Sequence, residues 1–366
     1  MGSARSVDIG GVKFGGGAPV RVESMLKTPL SDLDACVEEL RVLKKAGCEL
    51  ARVAFADESH KRALGILADK SEVPLMADIH FNHKFALAAI DCGVSSIRVN
   101  PGNMTDSGGL GKVLSAARMN GAVIRIGANG GSVNSAQNKK YGKGARALVG
   151  AVEEQLKPLI DSGFENVIIS AKSTSVPETV MANQMLAGKY PFVQHVGITE
   201  AGSGIDGAVK SAAGISVILS QGIGDTIRVS LTGDSKTEIE VAYGILRSLG
   251  LRKKGVNMIS CPCCGRKRVD VGALCERVKA MLPADVPDGF TVAVMGCEVN
   301  GPREAAAADI GIAGAEKGFV IFKRGVYAAS GNIAEMEKIL PSCLREALEI
   351  AGREKYFDIS PNATVR

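Results

Sequence analysis

Up to about residue 250, short β-branched and apolar runs alternate with longer stretches whose apolar positions recur every three or four residues. The strand-like runs fall at 20–25, 49–55, 74–80, 96–100, 122–129, 166–172, 193–201 and 226–232. The clearest helical stretch is 32–47, where Leu33, Val37, Leu40 and Leu43 share one face and Gly47 closes the run. Residues 145–163 and 207–222 repeat that pattern. Eight strand-then-helix units in this length predict an N-terminal TIM (β/α)8 barrel over residues 1–250. A doubly wound sheet also alternates strand and helix, but it usually needs fewer strands.

Residues 251–255 form a short basic turn, and the pattern changes after it. Strand-like runs at 257–260, 291–296, 310–313 and 318–323, with helical stretches at 269–281 and 333–353, predict a smaller C-terminal α/β domain over 256–366. Hydrophobic residues make up 46% and charged residues 23%, which places the chain among ordinary globular proteins. The net charge of +5 is dispersed, aromatics are 4% and Trp is missing, so the stacking and basic patches of a nucleic-acid binder are not present. No apolar run reaches membrane-spanning length, and the N-terminus lacks a signal pattern. The opening Met-Gly-Ser-Ala-Arg-Ser formally matches a myristoylation signal, but nothing nearby supplies a second anchor. The expectation is a cytoplasmic chain whose nine cysteines include metal ligands in preference to disulfides.

The C-terminal ends of barrel strands converge on one mouth. Arg52, Arg98, Arg125, Lys172 and Arg228 all fall there. Asp78 and Glu200 could neutralise two of these five, which leaves an anion site fitted to a diphosphate or bisphosphate. His80 and Glu200 are the proton-transfer candidates. Gly202, Gly204 and Gly207 formally spell a dinucleotide fingerprint; late in a barrel, such a loop is either a phosphate contact or a plain turn. His60, His83 and His195 have no context that marks them as functional.

Cys261 and Cys264 form a Cys-x-x-Cys pair in a Pro/Gly turn, and Cys297 lies in a second such turn, seven positions ahead of Glu304. Thiolates so gathered hold a soft metal centre, either iron–sulfur or zinc. Three thiolates leave one position for a weaker ligand. Cys263 adjoins Cys264 and is not expected to ligate. Cys36, Cys48, Cys92, Cys275 and Cys343 read as core or half-buried thiols.

Several long strings carry a resemblance across nearly the whole chain. They are Val-Pro-Leu-Met-Ala-Asp-Ile-His-Phe at 73–81, Arg-Val-Asn-Pro-Gly-Asn at 98–103, Gly-Ile-Thr-Glu-Ala-Gly at 197–202, Lys-Ser-Ala-Ala-Gly at 210–214, Gly-Ile-Gly-Asp-Thr-Ile-Arg-Val-Ser at 222–230, Ile-Ser-Cys-Pro at 259–262 and Val-Asn-Gly-Pro at 299–302. With these the chain resembles the 4-hydroxy-3-methylbut-2-enyl diphosphate synthases of the non-mevalonate isoprenoid pathway, in their two-domain bacterial form. The resemblance implies two-electron reductive opening of 2-C-methyl-D-erythritol 2,4-cyclodiphosphate to 4-hydroxy-3-methylbut-2-enyl diphosphate. It implies a 4Fe-4S cluster on Cys261, Cys264, Cys297 and Glu304, with flavodoxin or ferredoxin as electron donor. It assigns Arg52, His80, Arg98, Arg125, Asn129, Lys172, Arg228 and Ser230 to the diphosphate and Glu200 to proton donation, and it implies a head-to-tail homodimer. Three positions depart from the family pattern: Glu23 stands where Gln is usual, Cys263 where Ser is usual, and Arg303 where Gly is usual. The rival reading is a zinc-stabilised barrel of the dihydropteroate synthase kind that binds a phosphorylated or pterin-like ligand without redox chemistry.

Overall fold

The computed structural model describes residues 2–79, 82–100, 108–283, 285–299 and 305–358, with side chains described up to residue 352. The chain divides into two compact units, Met1–Arg252 and Lys253–Arg366.

The first unit opens with a hairpin that the apolar pattern did not announce, β1 (Ser6–Ile9) and β2 (Val12–Gly15). Eight strands follow: β3 (Arg21–Met25), β4 (Leu50–Ala54), β5 (Leu75–Asp78), β6 (Ser96–Arg98), β7 (Val123–Asn129), β8 (Val167–Lys172), β9 (Val193–Val196) and β10 (Thr226–Ile227). They close into a barrel in sequence order, with every pairing parallel. The eight predicted strands are all found, but the last two are shorter than their apolar runs. Past Val196 and Ile227 the chain leaves the ladder and forms mouth loops in which Gly197, Ile198, Val229 and Leu231 stay buried.

Among the described residues, nine helices alternate with these strands: α1 (Leu33–Ala46), α2 (Lys61–Lys70), α3 (His83–Asp91), α4 (Gly109–Asn120), α5 (Ser135–Tyr141), α6 (Ala145–Asp161), α7 (Val176–Lys189), α8 (Gly204–Ser220) and α9 (Ser235–Ser248). Helix α1 shows how the sequence sets them. Asp32 accepts from the Ala35 amide as N-cap, Leu40 and Leu43 face the core, and Gly47 ends the helix at φ 101°. That left-handed geometry favours a residue without Cβ.

The N-terminal hairpin plugs one end of the barrel. Val7, Ile9 and Phe14 pack against Leu50, Met76, Val123, Ile168 and Val193, which lie at or near the starts of their strands. This apolar floor is dry. Above it the interior is charged, where a barrel is ordinarily filled with Val, Ile and Leu layers.

The second unit is a five-stranded sheet in sequence order: β11 (Asn257–Ser260), β12 (Thr291–Met295), β13 (Ile310–Ala315), β14 (Gly318–Lys323) and β15 (Val326–Gly331). The first three strands run parallel and the last two antiparallel. The strand β15 was not anticipated; its residues are mostly polar or exposed. Helices α10 (Val271–Met281) and α11 (Met336–Asp358) supply Leu274, Val278, Leu340 and Leu344 to the core beside Val292, Ile312 and Ile321.

Candidate active site and cluster-binding turns

The barrel mouth gathers the cations that the strand ends predicted. Arg52 on β4, Arg98 on β6, Arg125 on β7, Lys172 on β8, and Arg228 just after β10 line a deep cavity of about 250 Å³, together with Asn129, Ser170, His195, Thr199 and Ser230. A wider cavity of about 800 Å³ shares Asn129, Thr199, Arg228 and Ser230 and adds Lys27 and Glu200. A glycine on β7 and one just after β9 make the room. A Cβ at Gly127 would sit 2.1 Å from the Ser170 Oγ, and one at Gly197 would sit 2.5 Å from the Arg228 carbonyl oxygen.

The carboxylates that balance these cations are not the two expected. Asp78 does accept from Arg52 at 2.5 Å and Arg98 at 3.2 Å. Glu200 is exposed, at φ 50°, and pairs with no cation among the described residues. In its place stand Glu23 and Glu238. Glu23 accepts from Arg125 at 2.5 Å and lies 3.7 Å from Arg52. Glu238 lies 3.6 Å from Arg228 and 3.3 Å from Lys27, and it accepts from the Leu231 amide. Glu23 follows from the strand alternation, since it sits on β3 with its side chain inward. Glu238 comes from helix α9, whose sequence gives no sign that it reaches the mouth. Five cationic side chains of the deep cavity therefore face three carboxylates, and the wider cavity adds one charge of each sign, Lys27 and Glu200.

Burial and mutual repulsion shape how these groups titrate. Burial raises the Glu23 carboxyl, but Arg125 and Arg52 outweigh it and hold it below the ordinary range. Burial likewise opposes Asp78, and Arg52 and Arg98 drive it well down. Burial lowers Arg125 to about 10, with Glu23 opposing that fall and Arg52 adding to it. Lys172 is pushed far below the ordinary lysine value, first by burial and then by Arg125. His195 is completely buried on β9, 3.6 Å from Glu23, with neither ring nitrogen hydrogen-bonded. Burial, then Lys172, keeps its imidazole neutral. Sequence reasoning passed over His195; its inward position on a barrel strand was the available signal.

In the second unit, β11 and β12 are neighbouring parallel strands, so the residues that follow them emerge at one sheet edge. Cys261 follows β11 directly, and Cys297 comes two residues after β12. The Cys261 sulfur accepts from the Gly296 amide at 3.1 Å. Cys263 turns the Cys-x-x-Cys loop at φ 61° and is exposed. The Cys264 thiol is exposed and lowered, chiefly by the Arg266 amide. All nine cysteines are free. Burial raises Cys36 to about 11 and Cys48 to about 12, so those two remain thiols. The donor set at 261, 264 and 297 fits a soft metal centre: free, accessible thiols on adjoining turns, one already taking an amide hydrogen bond of the kind that iron–sulfur sulfurs accept. Among the described residues no three ligating side chains stand together as a ready site for a single ion. His80 and Glu304 lie outside the described residues, as does Arg303.

Comparison with known proteins agrees with this pairing of domains. The GcpE TIM-barrel domain matches residues 4–243, and the GcpE protein C-terminal domain matches residues 257–347. The chain belongs to the GcpE family. Its GcpE relatives include the 4-hydroxy-3-methylbut-2-en-1-yl diphosphate synthase (flavodoxin) of Desulfotalea psychrophila, 44% identical over 97% of both chains. The protein of the same name from Maridesulfovibrio salexigens is 44% identical over 96% of this chain and 97% of its own. That from Geobacter sulfurreducens is 41% identical over 92% and 98%. Among solved structures, the dihydropteroate synthase of Yersinia pestis overlays 68% of the chain and all of its own at 13% identity and a TM-score of 0.45, too distant to bear on activity. Among the described residues, no helix is long and apolar enough to cross a membrane.

Proposed function

We propose that this GcpE-family chain performs the reaction for which its relatives are named, the reductive opening of 2-C-methyl-D-erythritol 2,4-cyclodiphosphate to 4-hydroxy-3-methylbut-2-enyl diphosphate. The observation that carries this reading is the excess of buried, strand-end cations over carboxylates in the deep cavity. Planar guanidinium groups, buried and in excess, bind pairs of phosphate oxygens in a forked arrangement, and a diphosphate offers two phosphate groups.

Arg52, Arg98, Arg125, Lys172 and Arg228 hold the diphosphate, with Asn129 and Ser230 donating further hydrogen bonds and His80 assigned to the same site. The ion pairs to Glu23, Asp78 and Glu238 fix the guanidinium groups before the ligand arrives, so little reorganisation is needed on binding. In the reaction a carbon–oxygen bond to phosphate breaks and leaves its electron pair on the diphosphate. A hydroxyl departs as water, taking one proton, and two electrons enter from the donor. Glu200, in the wider cavity, donates that proton.

Cys261, Cys264, Cys297 and Glu304 would hold the 4Fe-4S cluster, which supplies the electrons one at a time. A carboxylate is the weakest and most exchangeable ligand of that set. Flavodoxin is the proposed electron donor, with ferredoxin as the alternative. The assembly is a head-to-tail homodimer, in which the barrel of one subunit works with the cluster domain of the other; the short linker at 251–255 disfavours closure within one subunit.

The deciding experiment is anaerobic purification with metal analysis, followed by turnover of the cyclic diphosphate with reduced flavodoxin. Brown protein carrying iron and sulfide and forming the linear diphosphate is expected. Colourless protein with stoichiometric zinc and no turnover would support the non-redox barrel and refute this reading.

A further inference from the structure

We propose that Lys172 is a proton acceptor coupled to substrate binding: the cyclic diphosphate enters the deep cavity together with one proton, and Lys172 carries it as an ammonium ion through the reaction. This rests on the diphosphate reading above.

Lys172 ends strand β8 with its amine directed into the cavity, against Gly197 just after β9. Arg52, Arg98, Arg125 and Arg228 each have a carboxylate partner. Lys172, 7% exposed, has no ion pair or hydrogen bond among the described residues. The charges that face it come from four strands and one mouth loop: Glu23 on β3, Arg52 on β4, Arg125 on β7, His195 on β9, and Arg228 after β10. Three are guanidinium groups, one is neutral imidazole, and the lone carboxylate is committed to Arg125 and Arg52. Burial, then Arg125, draws the pKa of an amine so placed well below the ordinary lysine value, and an anion seated beside it acts the other way.

The charge balance gives the proton a purpose. Each phosphorus of a cyclic diphosphate carries a single, strongly acidic oxygen, so the substrate is a dianion throughout the neutral range. With Lys172 neutral, the four guanidinium groups of the deep cavity exceed Glu23, Asp78 and Glu238 by one, which falls one short of the dianion; the proton taken up by Lys172 makes good that difference. Breaking the carbon–oxygen bond leaves a third negative charge on the diphosphate. The ammonium group of Lys172 stands in the cavity where that charge develops, which favours the transition state over the ground state. The proton comes from solvent on binding and returns when product leaves.

Isothermal titration calorimetry tests this with the cyclic diphosphate and oxidised holoenzyme without reductant, so that no turnover occurs. The substrate does not titrate near pH 8, so any dependence of the heat on the buffer's ionisation enthalpy reports protons taken up by the protein. Uptake of about one proton per site is expected, with affinity falling about tenfold per pH unit on the alkaline side. Lys172→Arg keeps a permanent charge and should still bind, but without uptake; His195→Gln should bind with uptake intact. Binding with buffer-independent heat in the wild type would overturn the proposal. So would uptake that survives Lys172→Arg and disappears in His195→Gln. Failure of the wild type to bind would refute the underlying diphosphate reading instead.

Discussion

Glu23 and Arg125 form a 2.5 Å ion pair inside the barrel, with side chains 0% and 2% exposed. Removing one partner of such a pair leaves an uncompensated charge out of reach of water. Glu23→Ala should therefore destabilise the barrel by about 3–5 kcal/mol. Glu23→Gln keeps an acceptor for Arg125 and should cost only about 1–3 kcal/mol. Because it adds one unit of net positive charge to the mouth, it should also tighten diphosphate binding, more so at low salt. Denaturant melts and binding isotherms at two ionic strengths check both; equal losses for Ala and Gln would contradict the pairing.

His195 makes stability depend on pH in a defined direction. Its folded pKa lies below its unfolded value of about 6.5, so on acidification the unfolded chain binds a proton that the folded barrel refuses. The His195 contribution should be full above about pH 7 and fall as pH drops toward 5, by up to ~1.4 kcal/mol per pH unit. His195→Gln should flatten that slope. Glu23 and Asp78, with depressed pKa values, act lower: their contribution is present above about pH 4 and lost on further acidification. Chemical melts at pH 3, 4, 5, 6 and 7 separate the two windows.

Cluster ligation should divide by ligand type. Cys297→Ala removes a thiolate and should lose most iron and all turnover. Glu304→Ala removes the weakest ligand and should keep much of the iron while losing most turnover. Iron and sulfide analysis beside activity is the check, and unchanged turnover in Glu304→Ala would refute its role.

Arg266, Lys267 and Arg268 are exposed immediately after Cys264. A basic strip beside the electron entry point steers a donor with an acidic face. Reversing two of these charges should raise the KM for flavodoxin about tenfold or more and weaken its salt dependence, while rates with a small chemical reductant stay unchanged. Loss of both rates together would point to damage at the cluster.

Mixing subunits tests the head-to-tail assembly. Arg125→Ala alone and Cys297→Ala alone should each be inactive. Refolded together, half of the dimers are mixed, and each mixed dimer regains one intact pairing of barrel and cluster domain, so about a quarter of the wild-type activity returns. Sites completed within one subunit would recover nothing.

The barrel was legible because its βα alternation is a local pattern, and the mouth cations were legible because strand ends can be counted. The balancing charges were harder. Glu200 stands beside a strand run in sequence, yet the chain leaves the ladder at Val196, and its side chain turns out to solvent. Glu238 reaches Arg228 only because α9 packs across the β3 edge, a tertiary fact with no sequence period. His195 was invisible as chemistry because inward-facing apolar and polar residues share the same alternation. The hairpin β1–β2 was missed since four-residue strands carry too few positions to show a period.

That hairpin has a kinetic consequence. With Phe14 and its neighbours sealing the floor, the charged interior is a dead-end vessel with one opening. An anion seated among the arginines corks that opening from inside. With the floor end closed, whatever enters or leaves this interior has to pass the mouth, so exchange with solvent is set there alone.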